Sequence, residues 1–146
     1  MEKIDTNRPV FLNDEKLKAF LNIKQTAGWL DQRVNEFLKP YKISEQQYNI
    51  LRILRGAVNE ITVKTVKERM IRKSPNVTRL MDKLFDKKFI ERSRSENDRR
   101  VVYVKISKNG LDLLDKINWN DFDNRIQNLT EKEAKILNEL LDKIVT

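Results

Sequence analysis

The chain has 146 residues, 39% of them hydrophobic and 36% charged, with a formal net charge of +8. That length suits one domain with its own core, and no apolar run of about 18 residues is present to span a membrane. There is no Cys and no His, which excludes disulfides, thiolate metal sites and thiol redox switches and removes the commonest general base and metal ligand.

The opening segment, residues 1–13, lacks an apolar stretch of signal-peptide length, so a cytoplasmic protein is expected. Leu17, Phe20, Leu21, Ala27, Leu30, Val34, Phe37 and Leu38 then recur at helical spacing and predict a long helix from about Asp14 to Lys39, stopped by Pro40. Gly28 inside it allows a close crossing or a kink, or is simply a weak spot. Ser44-Glu-Gln-Gln47 is a capping box, with Ile43 and Tyr48 at the positions of a hydrophobic staple. The helix it opens carries Ile50, Leu51 and Leu54 inward and ends near Gly56. Thr62 caps a short helix, Val63 to Met70. Ser74-Pro75 starts the next, with Ser as N-cap and Pro at the first helical position, burying Val77, Leu80, Met81 and Leu84.

Phe89 to Arg94 and Val101 to Ile106 read as two strands of a hairpin, with Val102, Val104 and Ile106 on one face and residues 95–100 as a polar tip. Ser107 caps a helix carrying Leu111, Leu114, Ile117, Phe122 and Ile126. Thr130-Glu-Lys-Glu133 is a second capping box, opening a last helix with Ile136, Leu137, Leu140, Leu141 and Ile144. The expected fold class is mainly α with a small β-hairpin wing (α+β), a winged helix-turn-helix flanked by terminal helices.

The positive charge follows this layout. From Thr62 to Lys105 there are 14 Lys/Arg against 6 Asp/Glu, whereas the rest of the chain holds 16 of each. A surplus confined to one structural unit marks a surface for phosphates, because clustered cations gain affinity by releasing condensed counterions.

Three stretches carry a family resemblance: Ser74-Pro-Asn-Val-Thr-Arg-Leu-Met-Asp-Lys-Leu84, Phe89-Ile-Glu-Arg92, and Asn97 to Gly110. The last joins Asp98-x-Arg100 at the hairpin tip, an alternating strand, and Ser107-x-x-Gly110 opening a helix. In that order and spacing they resemble the MarR family of bacterial transcription regulators, over essentially the whole chain. Two positions depart from the family's habit. Lys88 stands where Gly is usual before the first wing strand, at a cost of about 1 kcal/mol if its φ is positive. The turn Met70-Ile-Arg-Lys73 also lacks the frequent Gly.

The resemblance implies a sequence-specific regulator of double-stranded DNA, in most such cases a repressor, with no cofactor. The recognition helix would offer Ser74, Pro75, Asn76, Thr78 and Arg79 to the major groove. There Asn76 could pair with adenine and Arg79 with guanine, each good pair contributing about 1–3 kcal/mol of discrimination; the plainer alternative has Ser74 only capping and Arg79 only touching phosphate. The wing would insert Arg100 into a narrow minor groove, held by Asp98 and helped by Arg99. Lys64, Lys67, Arg69, Arg72, Lys73 and Lys87 suit phosphate contacts or a solvated face.

The wide apolar faces of the first and last helices, with Val10, Phe11 and Leu12, exceed what a protomer of this size covers. With the way the resembled family is built, this implies a homodimer on a pseudo-palindromic operator, while part of each stripe serves as ordinary intrachain core. One domain over 1–146 would divide into a DNA-binding core at about 42–106 and dimerisation helices at about 10–39 and 107–146. A small aromatic or anionic effector, as the family often uses, would find Trp29, Tyr41, Tyr48 and Trp119 as candidate lining residues, although aromatic residues at helical spacing also serve simply as core. Two other functions compete. A winged-helix module for protein or RNA would bind without sequence preference, and an enzyme would have to rely on carboxylates. The acidic pairs in view, Asp112/Asp115 and Asp121/Asp123, read as solvated helix faces.

Overall fold

Helix α1 (Glu15–Leu38) begins where Asp14 accepts hydrogen bonds from the amides of Lys16 and Leu17. The computed structural model describes residues 14–123 and 125–146, so the expected contribution of Val10, Phe11 and Leu12 lies outside the described residues. A 3₁₀ turn over Lys39–Tyr41 follows, with Lys42 in the left-handed region at φ 58°. Helix α2 (Glu45–Gly56) carries the expected capping box: Ser44 Oγ accepts from the Gln47 amide while Gln47 Oε1 accepts from the Ser44 amide. Its Ile50, Leu51, Ile53 and Leu54 are all buried, making it the central helix of the core. Gly56 ends the helix but not as a left-handed cap, since no described glycine has a positive φ; extended Ala57 closes it instead.

A strand too short to alternate, β1 (Ile61–Thr62), precedes α3 (Val63–Arg69), which Thr62 caps. Helix α4 (Val77–Asp86) starts two residues later than Ser74-Pro75 suggests. Ser74 Oγ accepts from the Asn76 amide and so stabilises a turn rather than the helix itself, and Asn76 takes the cap position without a side-chain bond. Val77, Met81 and Leu84 point inward and are buried, with Leu80 half-buried.

Strands β2 (Ile90–Arg94) and β3 (Val102–Ile106) form the antiparallel hairpin, with Ile90 opposite Ile106 and Arg94 opposite Val102. The pairing of β1 with the other side of β3 makes a three-stranded sheet of order β1-β3-β2, one strand more than the sequence reading gave. Lys88 does have a positive φ, 63°. It closes α4 in a Schellman turn, its amide donating to Phe85 O and the Phe89 amide to Leu84 O.

Ser107 caps α5 (Lys108–Lys116) through the Gly110 amide. This helix does not run on to Phe122 and Ile126 as the spacing suggests. Ile117 is buried in extended backbone, and Asn118 Oδ1 accepts from the Asn120 amide to start a 3₁₀ turn over Trp119–Asp121. Asn offers the backbone this local alternative to the helix, and here it wins. A third 3₁₀ turn (Arg125–Asn128) leads to α6 (Glu131–Val145), opened by the Thr130–Glu133 capping box. Hydrogen bonds from the Thr130 amide and hydroxyl hold the Glu133 carboxyl below its ordinary range.

Candidate nucleic-acid interface

The inward stripe Val77, Met81 and Leu84 decides which side of α4 faces out. Pro75, Asn76, Thr78 and Arg79 are exposed, with Ser74 half-buried behind them. Lys64, at the second position of α3, and Lys67, one turn further on, stand on the neighbouring helix.

Across from them the wing tip is fixed by its own side chains. Ser95 Oγ accepts from the amides of Asn97 and Asp98, and Asp98 Oδ1 accepts from the Arg100 amide at 3.0 Å. Asp98 O also receives the Val101 amide. Asp98 therefore shapes the tip through backbone, with no ion pair to the Arg100 guanidinium among the described residues, which refines the expected holding role. Arg99 and Arg100 are exposed and free of ion pairs among those residues.

Between α3, α4 and the wing runs an open groove of about 520 Å³, with Val63, Met81, Val101 and Val102 beneath Lys64, Lys67, Thr78 and Arg100. Arg92 completes its lining, a residue sequence reasoning used only as part of a motif. It donates to Asp82 at 2.5 Å and lies 4.0 Å over the Phe85 ring, bracing wing to recognition helix. The signal was available in the alternation of β2, which puts Arg92 on the same face as buried Ile90.

Arg72 and Lys87 turn away from this surface. Arg72 pairs with Asp31 of α1 at 2.6 Å, and the Lys87 ammonium donates to Lys42 O. Lys73 remains exposed. Beside Arg72, burial and then the Asp31 carboxylate push the Glu45 carboxyl above its ordinary range, with Arg72 pulling it down.

Of the four aromatic candidates, three come together. Trp119 meets Tyr48 edge-on at 4.9 Å and donates to its hydroxyl at 2.7 Å; Phe37 and Phe122 close on Trp119 at 5.0 and 5.5 Å, and Tyr41 reaches Phe37 at 6.2 Å. These rings pack on one another, and Phe37, Tyr41, Tyr48 and Trp119 also pack on the core. Trp29 is not joined to them by a ring contact among the described residues; the guanidinium groups of Arg33 and Arg125 lie 5.9 and 5.3 Å from its ring.

This arrangement has counterparts among known proteins. The family model for the MarR family matches residues 43–102, from the start of α2 to the wing. The multiple antibiotic resistance protein MarR of Escherichia coli is 30% identical over 119 residues, spanning 79% of this chain and 82% of that protein. The chain belongs to the MarR family. A solved structure of a mutant of E. coli MarR complexed with operator DNA, 28% identical, superposes with a TM-score of 0.67 over 90% of this chain and 92% of that one. A MarR-like transcription regulator from Bacillus cereus, 21% identical, shares the fold with a TM-score of 0.79, covering 88% of this chain and 94% of that chain. The MarR fold thus extends well past the matched 43–102 segment into α1 and α5, where the sequence reading had placed it.

Proposed function

We propose that this MarR-family chain is a homodimeric, sequence-reading repressor of double-stranded DNA, released by a small aromatic or anionic molecule. One observation supports the DNA reading above the rest. Lys64, Lys67 and Arg100, cations without an ion pair among the described residues, line one groove together with Thr78 of α4, and Arg79 is exposed next to Thr78. In this reading Asn76, Thr78 and Arg79 reach base edges, Ser74 and Pro75 shape the approach, and Lys64 and Lys73 take phosphates. Arg100 enters the minor groove, with Arg99 beside it and Asp98 setting the tip.

Dimerisation fits what the protomer leaves open. No residue of α6 is buried, and Leu140 and Ile144 are 56% and 65% exposed. On α1, Phe20 is 57% exposed, with Leu21 and Ile23 also exposed. Pairing these faces would remove their exposed apolar side chains from water and set two recognition helices about 34–36 Å apart, one DNA turn. Residues 42–106 would then be the DNA-binding core, with 10–39 and 107–146 as dimerisation helices. The effector would act where the aromatic cluster and Trp29 join α1 to the segment after α5. A protein of this kind carries no catalytic site and works in the cytoplasm; no helix among the described residues is long and apolar enough to cross a membrane.

The test is fluorescence anisotropy on a duplex that the chain itself enriches from a randomised pool, at about 150 mM salt with excess nonspecific competitor. Saturable binding by two protomers per duplex is expected. Binding erased by competitor would mean a basic surface that does not read sequence.

A further inference from the structure

Helix α1 has two ends with different surroundings. Phe20, Leu21 and Ile23 are exposed, whereas Val34, Phe37 and Leu38 pack on the winged core. Near the second end, at Asp31 and Asn35, one helical turn apart, α1 makes polar contacts with the winged core. Asp31 accepts the Arg72 guanidinium at 2.6 Å, and Asn35 Oδ1 accepts the Glu45 amide at 2.9 Å. Asn35 is itself fixed, its Nδ2 donating to Asp31 O at 2.9 Å. A groove of about 260 Å³ lies among these groups, with Asn49 and Met70 on its floor.

Arg72 sits in the turn joining α3 to α4, two residues after buried Met70 and two before Ser74. That turn has no glycine, and its backbone bonds end with the Met70 amide donating to Val66 O. Few internal bonds therefore fix the approach to the recognition helix, and the clasp from α1 supplies one. We propose that Asp31 is a positioning residue for DNA recognition. By holding Arg72 it ties the turn before α4 to α1, and Arg72 acts as a strut rather than as a phosphate contact. Any tilt of α1 then reaches the recognition helix through this pair. The inference deepens the DNA-binding reading and rests on it.

The sign of one substitution separates the two roles of Arg72. Removing a carboxylate from a DNA-binding surface on its own strengthens binding to a polyanion. A strut predicts the reverse for Asp31→Asn. The full-length chain and the variants Asp31→Asn, Arg72→Gln, Arg72→Lys and the double Asp31→Asn/Arg72→Gln are titrated on the enriched duplex across a salt series. In parallel, amide hydrogen exchange over residues 70–76 is followed in the free protein. Both single variants are expected to weaken binding about two- to fivefold, the range of an exposed ion pair. The double variant is expected to be no weaker than either, the salt slope unchanged, and exchange in the turn faster in all three. Arg72→Lys, which keeps a cation for Asp31, is expected to stay within about twofold of the parent.

A flatter salt slope for Arg72→Gln, with Asp31→Asn binding as well as or better than the parent, would make Arg72 a phosphate contact and overturn the proposal. Unchanged exchange in Asp31→Asn would also overturn it. If no duplex is enriched at all, the DNA reading fails, while the exchange data still decide whether the clasp orders the turn.

Discussion

Gly110 is the position where one added carbon is expected to cost most. A Cβ built there lies 2.3 Å from Phe89 O and 2.7 Å from Ile106 Cγ1. A carbon–oxygen contact needs about 3.3 Å, so α5 and the Lys88–Phe89 turn would have to part by about 1 Å. Two hydrogen bonds cross that seam: the Ser107 amide donates to Phe89 O at 3.0 Å, and Ser107 Oγ donates to Lys88 O at 2.6 Å. Losing both costs about 1 kcal/mol each, and the overpacking adds about 1–3 kcal/mol. Alanine returns about 1 kcal/mol through its better helix propensity. Gly110→Ala is therefore expected to destabilise by about 2–4 kcal/mol and to lower Tm by roughly 6–12 °C in a chain of this length. Urea denaturation followed by circular dichroism, with thermal melts at fixed protein concentration, reads both. A variant as stable as the parent, or more stable, would refute the claim that this glycine exists for close approach.

The Lys88 backbone sits in the left-handed region, so Lys88→Gly is expected to gain about 0.5–1 kcal/mol in the same denaturation assay, and a loss would mean the Lys88 side chain contributes more than its backbone strain costs. Arg100→Ala removes an exposed side chain from a tip that is closed without it. It is expected to leave Tm unchanged and to weaken specific binding by about 1.5 kcal/mol per half-site, roughly tenfold; undiminished affinity would remove Arg100 from the interface. Asn76→Ala is expected to relax preference at one position of each half-site in a selection from randomised DNA, and an unchanged profile would discard it as a reader. Glu45 has its carboxyl raised in the folded state by burial first and by Asp31 second, so its ionised form is a penalty at neutral pH. That penalty is absent below the unfolded value and grows as pH rises from there through the raised folded value. Glu45→Gln is expected to be more stable at pH 7 by a few tenths of a kcal/mol after allowing for solvent screening, with the gain gone near pH 3; a less stable variant at pH 7 would show the Arg72 attraction to be the stronger effect.

What was readable in advance divides along a physical line. Features encoded by near neighbours survived: both capping boxes, the α1 and α6 stripes, and the hairpin with its inward Val104. Each depends on residues within about one turn or one strand pair, where spacing alone fixes the geometry. The misses were settled by competition or by distance. β1 has only two residues, too few to alternate, and becomes a strand because β3 offers a free edge. The apolar residues from Leu111 to Ile126 keep a helical period, yet the Asn118 side chain breaks the helix. Ser74 spends its hydroxyl on a turn, and Asp31 and Arg72, 41 positions apart, could not be paired from spacing.

The same division explains how the site is assembled. The groups proposed to touch DNA are local products: a helix start, a helix face and a hydrogen-bonded hairpin tip, each set by the sequence around it. What places them relative to one another is not local. Arg92 joins wing to recognition helix through Asp82 and Phe85, Ser107 and Gly110 lock α5 to the end of α4, and Asp31 reaches from α1 to the turn before α4. Two of these three ties are exposed ion pairs, weak enough individually to shift under a modest load. The third is a backbone seam that tolerates no extra atom. The seam fixes the end of α4 to α5, and Val77, Met81 and Leu84 anchor the recognition helix in the core, so the two ion pairs are the weaker ties, one to the wing and one to the turn before α4. In the proposed release by a small molecule, those exposed pairs are the contacts open to bias, because a ligand shifts an equilibrium only as far as its differential binding energy allows.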